Sequence, residues 1–427
     1  MANSFSQEET VAFEQMLEGF GDSLVMAKHA SVYRTEGAQM ERQGDTVWRP
    51  QPYIATSFDS TVGADISANE QDITQLSVPA TLSTNKTVAW SLTTTELRDS
   101  LQEQRFGKAA REKLASDINL SLATVACYQG TQVVAIDAAA GDYDDVSIAG
   151  AMLTEIGLGQ SERYLAISPR DYNGMAGSIA NATRDFGNKM TEQAYREGYV
   201  GRVAGFETYK LDHALRLTAA AGGGSITIDT DGASYYVPES TTSSPTTAER
   251  LNVDNRTMSV TVSSTTNVAA GDCFTIAGVQ SVHAITKEAT GQLKTFRVIS
   301  VTDGTTMVIS PPIVSGDGGS DVELQYQNCE KVTSSDTAAI TFLNTDTAYM
   351  NPFWHRDALE ILPGKYAIPS GAGSAIMRGS TDQGVELVLQ KTYNQNTMKI
   401  HYRLDTFYGV VNKQPEMTGI ILWNQVS

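Results

Sequence analysis

Phe13, Leu17, Phe20 and Leu24 follow one another at spacings of four, three and four, which is one face of an α-helix. Ser6 and Glu9 stand where a capping box would open it. Period-two alternation replaces this pattern in two runs, Leu76, Val78, Ala80 and Leu82, then Val88, Trp90 and Leu92, with Ser and Thr between them. Strands with one wet face are expected there, the first an edge strand because Pro79 lacks a donor. The longest helical signal comes next. Thr93 and Glu96 supply a capping box, Ala110, Leu114, Ile118, Leu122 and Val125 supply the stripe, and Gly130 the stop. Gly107 is its weak point, since a glycine inside a helix costs about 1 kcal/mol relative to alanine, and a break is expected there.

Residues 131–221 alternate helix and strand: a helix around Val146–Ile156, a strand Arg163–Ile167, and a helix opened by Ser168-Pro169-Arg170-Asp171. A short helix is expected at Thr191-Glu192-Gln193-Ala194 and extended chain from Val203 to Leu211. At Ala219–Ser225 the composition turns to alanine and glycine, and helical periodicity then disappears as far as the 340s. Met258, Val260 and Val262 alternate with Ser and Thr; Cys273, Phe274 and Ile276 form a second run. Asp303-Gly304 reads as a type I′ turn between Phe296/Val298 and Val308. This is the pattern of a small all-β barrel or sandwich, inserted over residues 222–343 into a host that resumes near Phe342 to Met350. Glu239 to Glu249 is a Ser/Thr-rich loop that cannot bury itself. Strands return at Val385–Leu389, Met398–Phe407 and Gly419–Trp423.

Composition narrows the function. In 427 residues, 41% hydrophobic and 19% charged, acids outnumber bases 49 to 31 for a net charge of −18. The chain is therefore globular and poorly suited to gripping phosphate backbones, which requires clustered Lys and Arg. No apolar stretch is long enough to span a membrane, and the N-terminus lacks the pattern of a secretory signal. Cys127, Cys273 and Cys329 are too few and too far apart for a disulfide scaffold, which points to a soluble protein made in a reducing compartment. Glu8, Glu9, Glu14, Glu18 and Asp22 put five acids and no Lys or Arg ahead of Lys28. Two readings of that helix face stay open: a solvated surface, or a docking surface for a basic partner.

No motif carries catalysis. His355-Arg356-Asp357 resembles a kinase catalytic loop, but Leu362 occupies the required asparagine position and every other kinase element is missing. Asp229-Thr-Asp231-Gly232 lacks the further acids of a calcium loop. Gly222-Gly-Gly-Ser225 reads as a linker, and the five histidines (29, 213, 283, 355, 401) have no metal spacing. Asp144-Asp145 suits a helix start. Catalytic, cofactor-binding and metal-ligating residues are all expected to be none. A projecting strand arm, a long helix and an inserted β module favour a self-assembling structural protein.

The residues also resemble a known family. Gly44-Asp-Thr-Val-Trp48, Leu97-Arg-Asp99, the helix ending at Gly130, Glu192-Gln-Ala-Tyr-Arg-Glu-Gly198, Val203-Ala-Gly-Phe206, Asn252–Arg256, Gly271-Asp272, Ile276-Ala-Gly278, Thr295–Gly304, Asn351-Pro-Phe-Trp354, Phe407-Tyr-Gly-Val410 and Pro415-Glu416 are similar, in this order, to coat proteins of short-tailed double-stranded DNA bacteriophages of the Lederbergvirus type. The resemblance implies an α+β fold of the Hong Kong 97 type with an inserted all-β barrel. Its segments would be an N-terminal arm (1–43), an E-loop (44–92), a spine helix of the peripheral domain (93–130), the first part of an axial domain (131–221), the insertion (222–343) and an axial and peripheral return (344–427).

It further implies a major capsid protein that forms hexamers and pentamers in a T=7 icosahedral shell. Its partners would be other copies of itself, a scaffolding protein, a portal protein at one vertex, and packaged double-stranded DNA bound without sequence specificity; no membrane is involved. The place is the virion capsid, after assembly in the host bacterial cytoplasm. On this reading Glu8, Glu9, Glu14, Glu18 and Asp22 are the candidate scaffold-contact face. Glu239, Glu249 and Arg250 mark a candidate inter-capsomer loop, whose 240–249 stretch departs from the family pattern. An encapsulin-like compartment shell and a β-rich tail or adhesin protein are the alternatives.

Overall fold

The computed structural model describes residues 5, 7–33, 44–52, 62–63, 65, 67, 70, 72–93, 95–96, 100–141, 143–182, 200–213, 215–221, 226–229, 236–331, 337–367 and 375–426. Ser6, the 97–99 and 191–198 motifs, the Gly222–Ser225 linker and Asp231-Gly232 lie outside the described residues. Two compact units divide the chain. The first comprises Met1–Val47, Pro79–Val125 and Leu359–Val411; the second comprises Trp48–Val78, Ala126–Ala358 and Asn412–Ser427.

In the first unit, the helix Gln7–Ser23 buries Phe13 and Phe20, as their spacing requires, with Leu24 buried just beyond its end. The long helix Ser100–Gln129 keeps Leu114, Ile118 and Leu122 fully buried in this unit before its last turn. It does not break at Gly107. That glycine is where the two helices approach: the Met16 methyl stands 2.7 Å from the place a Cβ would occupy. Thr93 and Glu96 do bond reciprocally, the Thr93 N–H donating to Glu96 Oε2 at 2.8 Å and the Glu96 N–H to Thr93 Oγ1 at 3.4 Å, but Thr93 ends the strand Thr84–Thr93 and the long helix opens later than expected, at Ser100.

A six-stranded sheet carries the rest of this unit. Its order is Ser31–Val32, Leu359–Pro363, Lys399–Asn412, Glu386–Asn394, Ala375–Ser380, and Thr84–Thr93 also pairs with Lys399–Asn412. The expected arm therefore divides differently. Thr84–Thr93 lies along a sheet over ten paired residues, from Thr93↔Lys399 to Thr84↔Tyr408. Thr46–Pro50 and Ser77–Thr81 instead form a two-stranded ribbon. Trp90 stacks on its cross-strand partner Tyr402, centroids 5.6 Å apart, and so supports the register of Thr84–Thr93 on Lys399–Asn412.

The second unit has a mixed six-stranded sheet in the order Gln132–Ala135, Thr418–Leu422, Asn351–His355, Arg163–Ile167, Phe206–Lys210, Arg202–Val203. Thr418–Leu422 runs parallel to Gln132–Ala135 and antiparallel to Asn351–His355. The helices Tyr143–Glu155 and Pro169–Ala182 cover it, packing Val146, Leu153, Tyr172 and Met175 on Leu165, Phe353 and Trp423. Ser168 caps the second helix as read, its Oγ accepting from the Asp171 N–H at 3.3 Å.

The β module belongs to this unit and closes on itself. Met258–Thr261, Thr306–Ser310, Ala289–Val301 and Cys273–Val282 pair in that order, and Ile340–Phe342 adds to Cys273–Val282. Residues 226–229 complete the ring: Ile228 bridges Val262 on one side while Thr227 bridges Ala339 on the other. Phe274, Ile276, Phe296, Val298, Met307 and Ile309 fill the interior. The turn at Asp303-Gly304 is not type I′, because neither residue has a positive φ. The Asp303 carboxylate shapes it instead, accepting from the N–H groups of Thr305 (2.9 Å) and Thr306 (2.7 Å).

Candidate interaction surfaces

The acidic helix keeps only part of its predicted face. Glu9 turns inward to pair with Lys391 and accepts from the Tyr402 hydroxyl at 3.2 Å. Lys391 sits 5.7 Å from the Tyr402 ring centroid, so Glu9 joins an aromatic and cationic cluster within its own unit. Glu9 is thereby withdrawn from the outward-facing set. Glu14 and Glu18 are exposed, and Asp22 is exposed beside Lys28 at 3.5 Å. The Glu8 side chain lies outside those described. The opposite face is seated by small residues: Leu17 and Phe13 press on Gly379, where a Cβ would stand 2.6 and 3.1 Å from their atoms.

The Ser/Thr-rich loop is a small β-tongue. Thr241–Ser243 pairs antiparallel with Arg250–Asn252, and every residue of both strands is exposed. Ser244 and Glu249 close its tip through a backbone bond of 2.9 Å. Its root is held by one buried side chain that sequence reasoning missed. Asn255 accepts from the Glu239 N–H (3.0 Å) and the Tyr236 hydroxyl (2.9 Å), and donates to the Glu239 carbonyl (2.9 Å). The structure thus brings Glu249 and Arg250 to an exposed tip and strand, and Glu239 to the root. A projecting, wet two-stranded element of this kind offers backbone and charge to another surface and buries nothing of its own.

The module is also tied into its unit by buried charge. Lys294, 3% exposed, donates to Glu416 Oε1 at 2.6 Å and to the Asn328 carbonyl at 3.0 Å. Asn328 Nδ2 donates to the same Glu416 oxygen at 2.9 Å. Arg297 is fully buried and donates to the Gly130 carbonyl at 3.3 Å. Beside it lie the free thiols Cys127 and Cys273; burial pushes Cys127 up to about 12, against the opposing pull of Arg297, and raises Cys273 too. A thiol so held is not a nucleophile at neutral pH. No local pattern announces Lys294, Arg297 or Glu416, because charged residues read as surface.

The remaining motifs are local structure. His355 ends a strand and accepts from the Asp357 N–H at 3.3 Å, while Arg356 pairs with Glu162 at 3.1 Å. Asp144 and Asp145 lie in the first turn of Tyr143–Glu155, and Asp145 accepts from the Trp423 indole at 2.9 Å. Among the described residues no group of three or more His, Cys, Asp or Glu side chains is placed to hold a metal ion. Nor is any helix among them long and apolar enough to cross a membrane.

A model of the family described as P22 coat protein, gene protein 5, matches residues 1–423. Among solved structures the chain is similar to one from Mycobacterium phage Che8, 10% identical over 91% of this chain and 93% of that one, with a TM-score of 0.42. It is similar to the mature capsid of bacteriophage PhiM1, 11% identical over 94% and 87% with a TM-score of 0.43. Over 29% of this chain and 99% of that one it is similar to the CUS-3 coat protein I-domain, 35% identical with a TM-score of 0.21.

Proposed function

The chain belongs to the P22 coat protein family and is a major capsid protein of tailed phages, and from that premise we propose how it builds a shell. Copies associate into hexamers and pentamers of a closed T=7 shell of the Hong Kong 97 type, guided by a separate scaffolding protein and completed by a portal at one vertex. Double-stranded DNA is packaged against a wall that does not read its sequence, a role that suits a chain with a net charge of −18. Assembly takes place in the host cytoplasm, and the six sequence-derived segments serve as arm, E-loop, spine, axial domain, insertion and return.

The carrying observation is the match of one coat-protein family across residues 1–423. Neither an encapsulin-like compartment nor a tail protein is favoured by it. The outward acids Glu14, Glu18 and Asp22 supply a one-signed face for a basic segment of the scaffolding protein. The tongue bearing Glu249 and Arg250 supplies a contact between capsomers. Each pairwise contact need contribute only about 4–8 kcal/mol, millimolar to micromolar affinity, because many act together in a closed shell.

Negative-stain microscopy of the expressed protein, with and without the scaffolding partner, tests this reading. Closed shells of uniform size with the partner are expected. DNA-free particles loaded with an enzyme, or trimers in place of shells, would overturn it.

A further inference from the structure

Within the second unit the barrel, the ribbon base at Leu76, the turn after Tyr143–Glu155 and the segment 414–417 line a half-open cavity of about 370 Å³. Its lining is mostly apolar, with Leu76, Val282, Val314, Pro238, Pro311 and Pro312 among the walls. Into this lining the loop between Val282 and Ala289 delivers one ammonium group, Lys287.

That loop is built to do so. Lys287 holds a φ of +59°, a left-handed conformation that strains a residue with a side chain. His283 keeps the loop closed: its Nδ1 accepts from the N–H groups of Ile285 and Thr286, both at 3.2 Å, and its carbonyl accepts from the Lys287 N–H at 2.9 Å. The imidazole rests on Gly157, where a Cβ would stand only 3.1 Å from the ring, so a larger residue there would press on it. Lys287 Nζ donates to the carbonyls of Gln325 (2.8 Å) and Gln327 (3.1 Å), two acceptors for three donors. Glu416, the nearby acid, already accepts from Lys294 and Asn328. Arg256, also in the lining, is forked onto Asp254. Burial pushes Lys287 down to about 8 despite the opposing pull of Glu416. A cationic donor carried into an apolar cavity on a strained, capped loop is the arrangement of a small-molecule site.

We propose that this cavity binds a small monocarboxylate with an apolar body, its headgroup on Lys287 Nζ and its body against the proline and valine walls. Two ammonium groups line the cavity; Lys294 is buried on Glu416 and Asn328, so the more exposed Lys287 takes the headgroup. A phosphate would bring two charges and three oxygens to a wall that is mostly apolar, and desolvating them there is costly. A neutral alcohol would forgo the charge-assisted bond. This role is separate from shell building, and its failure would leave the coat-protein reading untouched.

Isothermal titration of the full-length chain with hexanoate, and separately with hexanol, tests the site. One saturable hexanoate per chain is expected, with hexanol at least tenfold weaker. In Lys287→Met the two should bind with equal affinity, because the apolar stem remains and only the charge is lost. Wild-type protein that binds neither, or binds both equally, overturns the proposal. So does a Lys287→Met variant that retains the preference and matches wild type by circular dichroism. If that variant does not fold, the wild-type comparison decides alone.

Discussion

The guanidinium of Arg111 occupies the space a side chain at Gly19 would need, so the N-terminal helix meets the long helix through glycine backbone. Two turns of contact are set this way, the other being Met16 over Gly107. Gly21, in the same helix, has only the Thr381 methyl at 4.0 Å from its Cβ position. The two glycines should therefore respond oppositely. Gly21→Ala should stabilise by up to ~1 kcal/mol, the ordinary helical gain, whereas Gly19→Leu should destabilise by about 1–3 kcal/mol through overpacking. Urea denaturation of both variants checks the sign; a stabilising Gly19→Leu would refute the packing argument.

Lys294 and Glu416 should prove unequal partners. The lysine is 3% exposed and the glutamate 34%, so removing the acid strands a buried charge while removing the lysine leaves a carboxylate that reaches water. Glu416→Gln is expected to cost about 3–5 kcal/mol, the range for breaking a buried pair. Lys294→Met should cost clearly less, because the carboxylate left behind keeps access to solvent. Chemical denaturation of both variants measures the difference, and equal losses would contradict the burial asymmetry.

Acid should loosen the 303 turn before it unfolds the barrel. The Thr305 backbone N–H and the Thr306 side chain, its two largest hydrogen-bond partners, hold the Asp303 carboxyl below the usual carboxylate range. A depressed carboxylate contributes stability that is present above its unfolded value and lost as pH falls through the folded one, so the window lies below pH ~4. Amide exchange at Thr305 and Thr306 should accelerate there, and Asp303→Asn should flatten that dependence. Protection unchanged down to pH 2 would count against the carboxylate.

A fragment of residues 222–343 should fold into a β barrel with a cooperative melt by circular dichroism, and one starting at 237 should not. The difference is the closing segment at Thr227 and Ile228, without which two edges stay open. Equal melting of both fragments would mean that closure is dispensable.

Replacing Glu14 and Glu18 by Gln should weaken scaffold binding and lower shell yield at low salt, without changing the subunit's fold. Exposed pairs are worth about 0.2–1 kcal/mol each and fade with salt. Sedimentation across a salt series reads the effect, and unchanged affinity would return this face to plain solvation.

What was legible in the sequence is what depends on neighbours a few residues away. The stripe from Ala110 to Val125, the Ser168-Pro169 start and the Thr93/Glu96 box all follow from local spacing and donor chemistry. Thr84–Thr93 was legible as a strand, but its partner at Lys399–Asn412 lies about three hundred residues onward, where no periodicity points. Glu9 reads like its acidic neighbours because its partner Lys391 is even further away in sequence. The closing segment was missed since Ile226 and Ile228 are too few to show a period. Asp303-Gly304 carried the letters of one turn and the side-chain geometry of another, because the carboxylate found two amide donors.

The strand Thr418–Leu422 sits between Gln132–Ala135 and Asn351–His355, yet the ribosome makes it after every other member of that sheet. A nascent chain must therefore hold a gap one strand in from the sheet's edge, with Gln132–Ala135 and Asn351–His355 unpaired on either side, until residues 418–422 emerge. A prematurely terminated copy lacks its keystone and presents open edges to proteases and chaperones, so the order of synthesis itself screens defective chains before they reach a growing shell.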